Sequence, residues 1–425
     1  MEQRQESGQG IESGQGEVDH AKHVADLQAV LEVSLELSAT DSLGHLVLAV
    51  ERAASKVLEC EHATLLLYDR DKDLLWRPEE AGNGARHQAQ EQIASEVIAS
   101  GTRIRINDPA SDARFDPECD IGRETRNLMA FPLLDTEQNI VGVLQVHNIP
   151  PLDPWDDELV KVFDAQVGVA VQRHLLLEHY AEKRRIERDL KLARTIQQGL
   201  LPNGDPSFPG FDIAGWNDPA DDTGGDFWDH YVLPDGSLAL VLADATGHGI
   251  GAALMMAACR SLFRATTFSS EDLTQVVERV NRLLYEDLGD SRSVTAVLGF
   301  LEGDTLSFLS AGHGPVLRYL AGADTVERQN AHSVPLGIIP DIPWPEAERF
   351  TMQSGDIMVL LTDGFFEWEN DREEQFGIPR LQELIRQHKD MPARELIATL
   401  HRAVVDFAGE VPQNDDLTAL VVRKL

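Results

Sequence analysis

The chain has 425 residues, with 37 Lys or Arg against 72 Asp or Glu, a formal net charge of −35. Such acidity argues against nucleic acid and anionic membrane as partners, since both are bound by concentrated Lys and Arg. Apolar content of 42% suits a folded protein of two or three domains. Cys60, Cys119 and Cys259 are far apart and form no Cys-x-x-Cys pair, which excludes a zinc site of the usual spacing and a disulfide framework. With no signal-like N-terminus and no membrane-length apolar run, the expectation is a cytoplasmic protein.

Residues 1–20 are mostly Gln, Glu, Gly and Ser, with Glu6-Ser7-Gly8-Gln9-Gly10 recurring as Glu12-Ser13-Gly14-Gln15-Gly16. They read as a disordered low-complexity tail. Val24, Leu27, Val30, Leu31, Leu35 and Leu37 then follow helical spacing, and a second helix is expected from Ser42 to Leu58. Ala63–Tyr68 reads as a strand, 91–100 as a helix, 102–106 as extended, and 107–125 as irregular. Leu128–Leu134 and Ile140–His147 read as two more strands. This unit, 21–175, is an α+β domain of sensor size. After Pro150, Pro151 and Pro154 a helical pattern runs from Trp155 to Leu200, where Leu201-Pro202 stops it. Its part 176–204 forms a linker in which Ile186, Leu190, Ala193, Gln197 and Leu200 step as a coiled-coil seam. The basic residues of 183–194 alternate with Glu182, Glu187 and Asp189, a solvated face.

Residues 205–425 alternate strands with two helical pairs, about 250–268 with 272–288 and 377–388 with 394–408. Consecutive helices point to an antiparallel β-sandwich flanked by helices rather than a doubly wound sheet. Four Asp-centred turns lie where apolar strands begin or end: Gly224-Gly225-Asp226, Asp244-Ala245-Thr246-Gly247-His248-Gly249, Thr362-Asp363-Gly364 and Asn414-Asp415-Asp416. Any one alone is a turn, as Asp235-Gly236 is expected to be in a hairpin. Four aimed at one sheet end would repel one another, and hard divalent cations resolve that conflict.

These turns, in order with Ala311-Gly312-His313-Gly314-Pro315 and Asp415-Asp416-x-Thr418, resemble the SpoIIE-type branch of the metal-dependent (PPM) serine/threonine phosphatases. Ala193–Pro202 resembles the helical entry to that domain, with Gly199 in place of a commoner Ser. The resemblance covers 190–425. It implies two Mn²⁺ or Mg²⁺ ions held by Asp226, Asp244, Asp363 and Asp415 with the Ala245 carbonyl, and Asp416 beside the ligand position. Asp244 is the expected bridging ligand. His248 and His313 either assist proton transfer or shape their loops, and we read them as shaping loops. The implied substrate is a phosphorylated anti-sigma-factor antagonist in bacterial partner switching.

Asn107–Asp116, Thr125–Leu133 and Ile140–Asn148 resemble the GAF small-molecule sensor domains, over 24–175. The bound small molecule is unknown; a cyclic nucleotide stays open, because Asn148 is followed by Ile149 although Asp157-Glu158 is present. Cys119 reads as an incidental loop cysteine. Apolar seams on helices 24–37 and 155–200 point to a homodimer. Two other readings compete with the enzyme: a sensor histidine kinase using His174 or His179, and a non-catalytic scaffold.

Overall fold

The computed structural model describes residues 9–77, 87–88, 92–115, 125–151, 154–268, 272–289 and 292–425, so Cys119 and the first eight residues lie outside the described part. The chain divides into two compact units, 1–184 and 185–425.

The first unit opens with α1 (Gln9–Ser38) and α2 (Leu43–Val57), the latter capped by Ser42, whose hydroxyl accepts from His45 N–H at 3.3 Å. α1 starts inside the stretch that composition reads as a disordered tail. Gln and Glu are good helix formers, and a helix already nucleated at 24–37 propagates cheaply. β1 (His62–Asp69), β2 (Leu74–Arg77) and β3 (His87–Gln88) precede α3 (Gln92–Ser100). β4 (Ile104–Ile106), β5 (Leu128–Leu134) and β6 (Ile140–His147) lead into α4 (Pro154–Leu200). The six strands form an antiparallel sheet in the order β3-β2-β1-β6-β5-β4. Leu65, Leu67, Leu144 and Val146 face α2 and α4, where Phe163, Val167 and Val171 pack on them. Leu66, Leu128, Ala130 and Val143 face Ile93, Ala94 and Val97 of α3. Burial on both faces explains why β1 is an unbroken apolar run rather than an alternating one.

Gly168 lets α4 approach β5 closely: a Cβ there would lie 2.2 Å from the Leu134 carbonyl oxygen. The obstacle is backbone, so Gly168→Ala is expected to push the helix off the sheet and cost about 2–4 kcal/mol. Lost amide-exchange protection in β5 would show it; wild-type protection would count against it.

The second unit begins within α4. It continues with β7 (Phe211–Asp218), β8 (Asp226–Val232), β9 (Leu238–Ala245), α5 (Ile250–Thr267) and α6 (Leu273–Leu288). β10 (Val294–Glu302), β11 (Thr305–Ala311), β12 (Val316–Leu320), β13 (Thr325–Gln329), β14 (Glu348–Thr351) and β15 (Ile357–Leu361) follow. The last elements are α7 (Gly364–Glu367), α8 (Ile378–Gln387), α9 (Ala393–Ala408) and β16 (Leu417–Lys424). Two five-stranded sheets result, β14-β11-β10-β9-β8 and β13-β12-β15-β16-β7, with antiparallel neighbours throughout.

Ile213, Trp228, Leu240, Val297, Leu360 and Leu420 fill the space between the sheets. The outer face of the first sheet carries α5 and α6 through Met256, Phe263, Val276 and Val280. That of the second carries α8 and α9 through Leu381, Ile385, Leu396 and Leu400. The helices thus flank an antiparallel sandwich, as expected, and Asp235-Gly236 turns the β8–β9 hairpin.

Candidate active site

The sandwich brings the four Asp turns to strand ends. Asp226 opens β8 and pairs in register with Asp244 on β9. Asp363 follows β15 and caps α7, and Asp415 and Asp416 precede β16. β15 and β16 are neighbours, and Thr362 N–H donates to the Thr418 carbonyl at 3.0 Å, so their loops emerge together.

The electrostatics report how near these carboxylates are. Burial, and then the charges of Asp363 and Asp415, push Asp244 up to about 7. Burial raises Asp226 well above the usual carboxylate range, with Asp244 and Asp416 adding to it and hydroxyls of Thr362 and Thr418 opposing it. Asp363 is raised by desolvation and then Glu367, Asp415 by desolvation and then Asp363. Carboxylates from both sheets therefore face one another across the sandwich end.

Among the described residues no Lys or Arg forms an ion pair with Asp226, Asp244, Asp363, Asp415 or Asp416, and Asp226 Oδ2 is buried with no hydrogen-bond partner. Asp229, three residues along β8, shows the contrast. It too is buried, but Arg260 and Arg264 of α5 each approach it at 3.0 Å. Asp229 is thus a structural ion pair, whereas among the described residues Asp226, Asp244, Asp363 and Asp415 have no Lys or Arg partner. An oxygen-only donor set with surplus negative charge and no basic partner fits a hard divalent cation. Among the described residues no three His, Cys, Asp or Glu side chains are already gathered around one ion-sized point.

Asp416 differs from its neighbour. It is buried, and its Oδ2 accepts from Gly225 N–H at 2.6 Å and Asp226 N–H at 3.3 Å while Oδ1 accepts from Ala220 N–H at 2.9 Å. It fixes the Gly-Gly-Asp turn, and Asp415 stands at the solvent rim. Ala245 is buried, and its carbonyl oxygen lies 2.6 Å from where a Cβ on Gly225 would sit, so only glycine fits there.

His313 is buried. Its Nε2 donates to the Leu361 carbonyl at 3.0 Å, which leaves Nδ1 to accept from the Thr295 hydroxyl at 3.0 Å. Burial holds it neutral, with a pKa of about 4. With both ring nitrogens engaged it shapes the approach to Asp363 and is not free to move protons. His248 is exposed, its Nδ1 3.3 Å from Asp221. Nothing in the sequence marks Asn217, whose amide donates to the Thr418 hydroxyl at 2.7 Å, and Gln197 reads there only as part of a coiled-coil seam, although its partner Gly224 lies 27 residues away. Such long-range bonds leave no local signal.

In the first unit, His62, Thr64, Arg77, Thr125, His147 and Asn148 line a cavity of about 210 Å³. Burial, then the charges of His62 and Arg77, lower His147 from 6.5 to about 4. A lowered imidazole pKa disfavours protonation of the folded form, so stability is whole above 6.5 and is lost as pH falls toward 4. The expected loss is about 2–3 kcal/mol across that window. His147→Gln should remove that increment from the acid dependence of β6 amide exchange; an unchanged dependence would contradict it.

A family model described as Stage II sporulation protein E (SpoIIE) matches residues 234–425, and a GAF domain model matches 45–171. The first match includes Asp244, Asp363 and Asp415, while Asp226 precedes it. The chain is 28% identical over 261 residues to the phosphoserine phosphatase RsbU of Bacillus subtilis, covering 60% of this chain and 76% of RsbU. It is 23% identical over 217 residues to the phosphoserine phosphatase RsbP of the same organism, 49% of this chain and 51% of RsbP. Among solved structures, the SiaA-PP2C domain of Pseudomonas aeruginosa matches with a TM-score of 0.50 at 22% identity, covering 57% of this chain and 98% of that domain. That likeness shows the fold of the sandwich.

Proposed function

We propose a metal-dependent phosphoserine/phosphothreonine protein phosphatase controlled by its sensor domain, a reading supported by the matches of residues 234–425 to the SpoIIE model and of residues 45–171 to the GAF domain model. The observation that carries this reading is the uncompensated carboxylate cluster at the end of the sandwich. Asp226, Asp244, Asp363 and Asp415, with the Ala245 carbonyl, would hold two Mn²⁺ or Mg²⁺ ions. Bound there, the ions supply the acidity that makes water a nucleophile at neutral pH and the charge that holds phosphoryl oxygens. The chain's own part is to fix the oxygens. Asp416 holds the turn before Asp226, and His313 holds the strand end before Asp363.

By analogy with RsbU and RsbP, both named phosphoserine phosphatases, the proposed substrate is a phosphorylated anti-sigma-factor antagonist. An unidentified small molecule in the GAF domain would bias activity through α4. Of the two histidines named for the sensor-kinase reading, His174 is buried, 7% exposed, with Nε2 3.4 Å from the Thr40 hydroxyl, while His179 is exposed. Mn²⁺-dependent phosphate release from such a phosphoprotein by the full-length chain tests the proposal. ATP-dependent autophosphorylation without phosphate release would overturn it.

The N-terminal helices support a homodimer. α1 buries Val30, Val33 and Leu37 yet exposes Leu27, Leu31 and Leu35 by 47%, 63% and 66%, and α4 exposes Leu176, Leu177 and Tyr180. A second copy would cover these faces. Light scattering at micromolar concentration is expected to give a dimer, and Leu31→Glu with Leu35→Glu a monomer. Among the described residues no helix is long and apolar enough to cross a membrane.

A further inference from the structure

We propose that Gln197 is a positioning residue for the Asp226 side of the carboxylate cluster, through a two-ended clamp on the backbone of Gly224. Gly224 N–H donates to Gln197 Oε1 at 3.1 Å, and Gln197 Nε2 donates to the Gly224 carbonyl. Both residues are buried, so no water replaces either bond. Gly224 is held from its other side as well: a Cβ there would lie 2.3 Å from Asp416 Oδ2, the oxygen that binds Gly225 and Asp226 N–H. The turn is therefore gripped between a helix side chain and a strand-end carboxylate, and Asp226 is the second residue after the gripped one.

The chemistry is specific to the primary amide. Glutamate accepts from Gly224 N–H but donates nothing to its carbonyl. Lysine donates but does not accept, and asparagine is one methylene short. Gln197 lies in the last turn of α4, and its neighbours Ile196, Gln198 and Gly199 do not share its burial. Successive residues on a helix point about 100° apart, so a turn of α4 by one residue takes the amide away from Gly224. The coiled-coil seam read from the sequence thus contains a polar position already used by this chain, while Ile186, earlier in the seam, is 50% exposed.

This inference rests on the metal-dependent reading, and its test separates the two. Calorimetry of the full-length protein with Mn²⁺ alone is expected to show Gln197→Ala weakening binding by about 10-fold or more, the usual effect of losing a group that orients a ligand. Gln197→Glu, which keeps the accepting half, should fall between. Turnover of Gln197→Ala should return toward wild type as Mn²⁺ is raised. Leu201→Ala removes an apolar contact with the core beside the same helix end. It should lower thermal stability without moving Mn²⁺ affinity. Amide exchange at Gly224 and Gly225 should quicken in Gln197→Ala and not in Leu201→Ala. Wild-type Mn²⁺ affinity in Gln197→Ala overturns the inference. If the wild type itself binds no Mn²⁺, the function proposed above fails, and unchanged exchange at Gly224 and Gly225 then overturns the clamp separately.

Discussion

Asp244→Asn is expected to lower Mn²⁺-dependent phosphate release by about 10³-fold or more while raising the stability of the metal-free protein. The substitution keeps size and shape and removes one negative charge. Asp244 has Asp226 opposite it in register and Asp363 and Asp415 near enough to raise its pKa, so it sits at the centre of the cluster. Without its charge, the proposed cation site loses the carboxylate expected to bridge its two ions. The stability effect has the opposite sign. A carboxyl raised from 3.8 to about 7 is bound to its proton more tightly when folded, so its contribution is full below 3.8 and is lost as pH rises through about 7. Above that range the wild-type apoprotein carries the whole penalty and the Asn variant none, a difference of about 2–4 kcal/mol. Phosphate release and a urea midpoint in chelator are the two measurements. Full activity in Asp244→Asn would sink the catalytic assignment, and an unchanged midpoint would sink the electrostatic one.

Much of this architecture was legible in the sequence because burial imposes periodicity. β5 and β6 stand at their expected limits, being largely buried apolar runs bounded by turns. β13 and β14 carry no such signal. They are edge strands, only partly buried or exposed at every position, and Thr325–Gln329 offers no apolar alternation to read. The four Asp turns were recognisable by their strand-end positions, three of them beside Gly or Asp. The residues alone do not say which of Asp415 and Asp416 turns inward, because adjacent residues of one type carry no orientation signal; only the resemblance separated Asp415, at a ligand position, from Asp416 beside it. Gln197 misled for a related reason: its spacing matches a seam, and its partner is a glycine backbone far along the chain. The tail shows the remaining gap, since composition estimates what a segment buries and says little about a helix extended into it from a neighbour.

The Asp415/Asp416 distinction leads to the second large effect. Asp416→Ala removes one carboxylate that accepts three backbone N–H groups, from Ala220, Gly225 and Asp226. The site is closed: a Cβ on Gly224 would meet the carboxylate at 2.3 Å, and one on Gly364 would meet the Asp416 carbonyl at 2.4 Å. Charge-assisted bonds of this kind contribute about 1.5–3 kcal/mol each, and buried donors left without acceptors cost more than the bonds gave. Because the three share one acceptor they do not add, and the expected loss is about 3–5 kcal/mol. Asp416→Asn separates geometry from charge. Its carbonyl oxygen, placed where Oδ2 stands, still accepts from Gly225 and Asp226, but its amide then faces the Ala220 N–H, donor against donor. It should keep more than half of the stability that alanine loses. Its phosphate release should fall about 10-fold against about 100-fold or more for alanine. Asp415→Ala, at the rim with only Asp416 N–H on its Oδ1, should cost little stability while abolishing turnover. Urea midpoints and phosphate release of the three variants decide the matter. If Asp416→Ala were as stable as the wild type, or if Asp415→Ala lost stability rather than activity, the division between the carboxylate that builds the turn and the one proposed to hold a cation would be wrong.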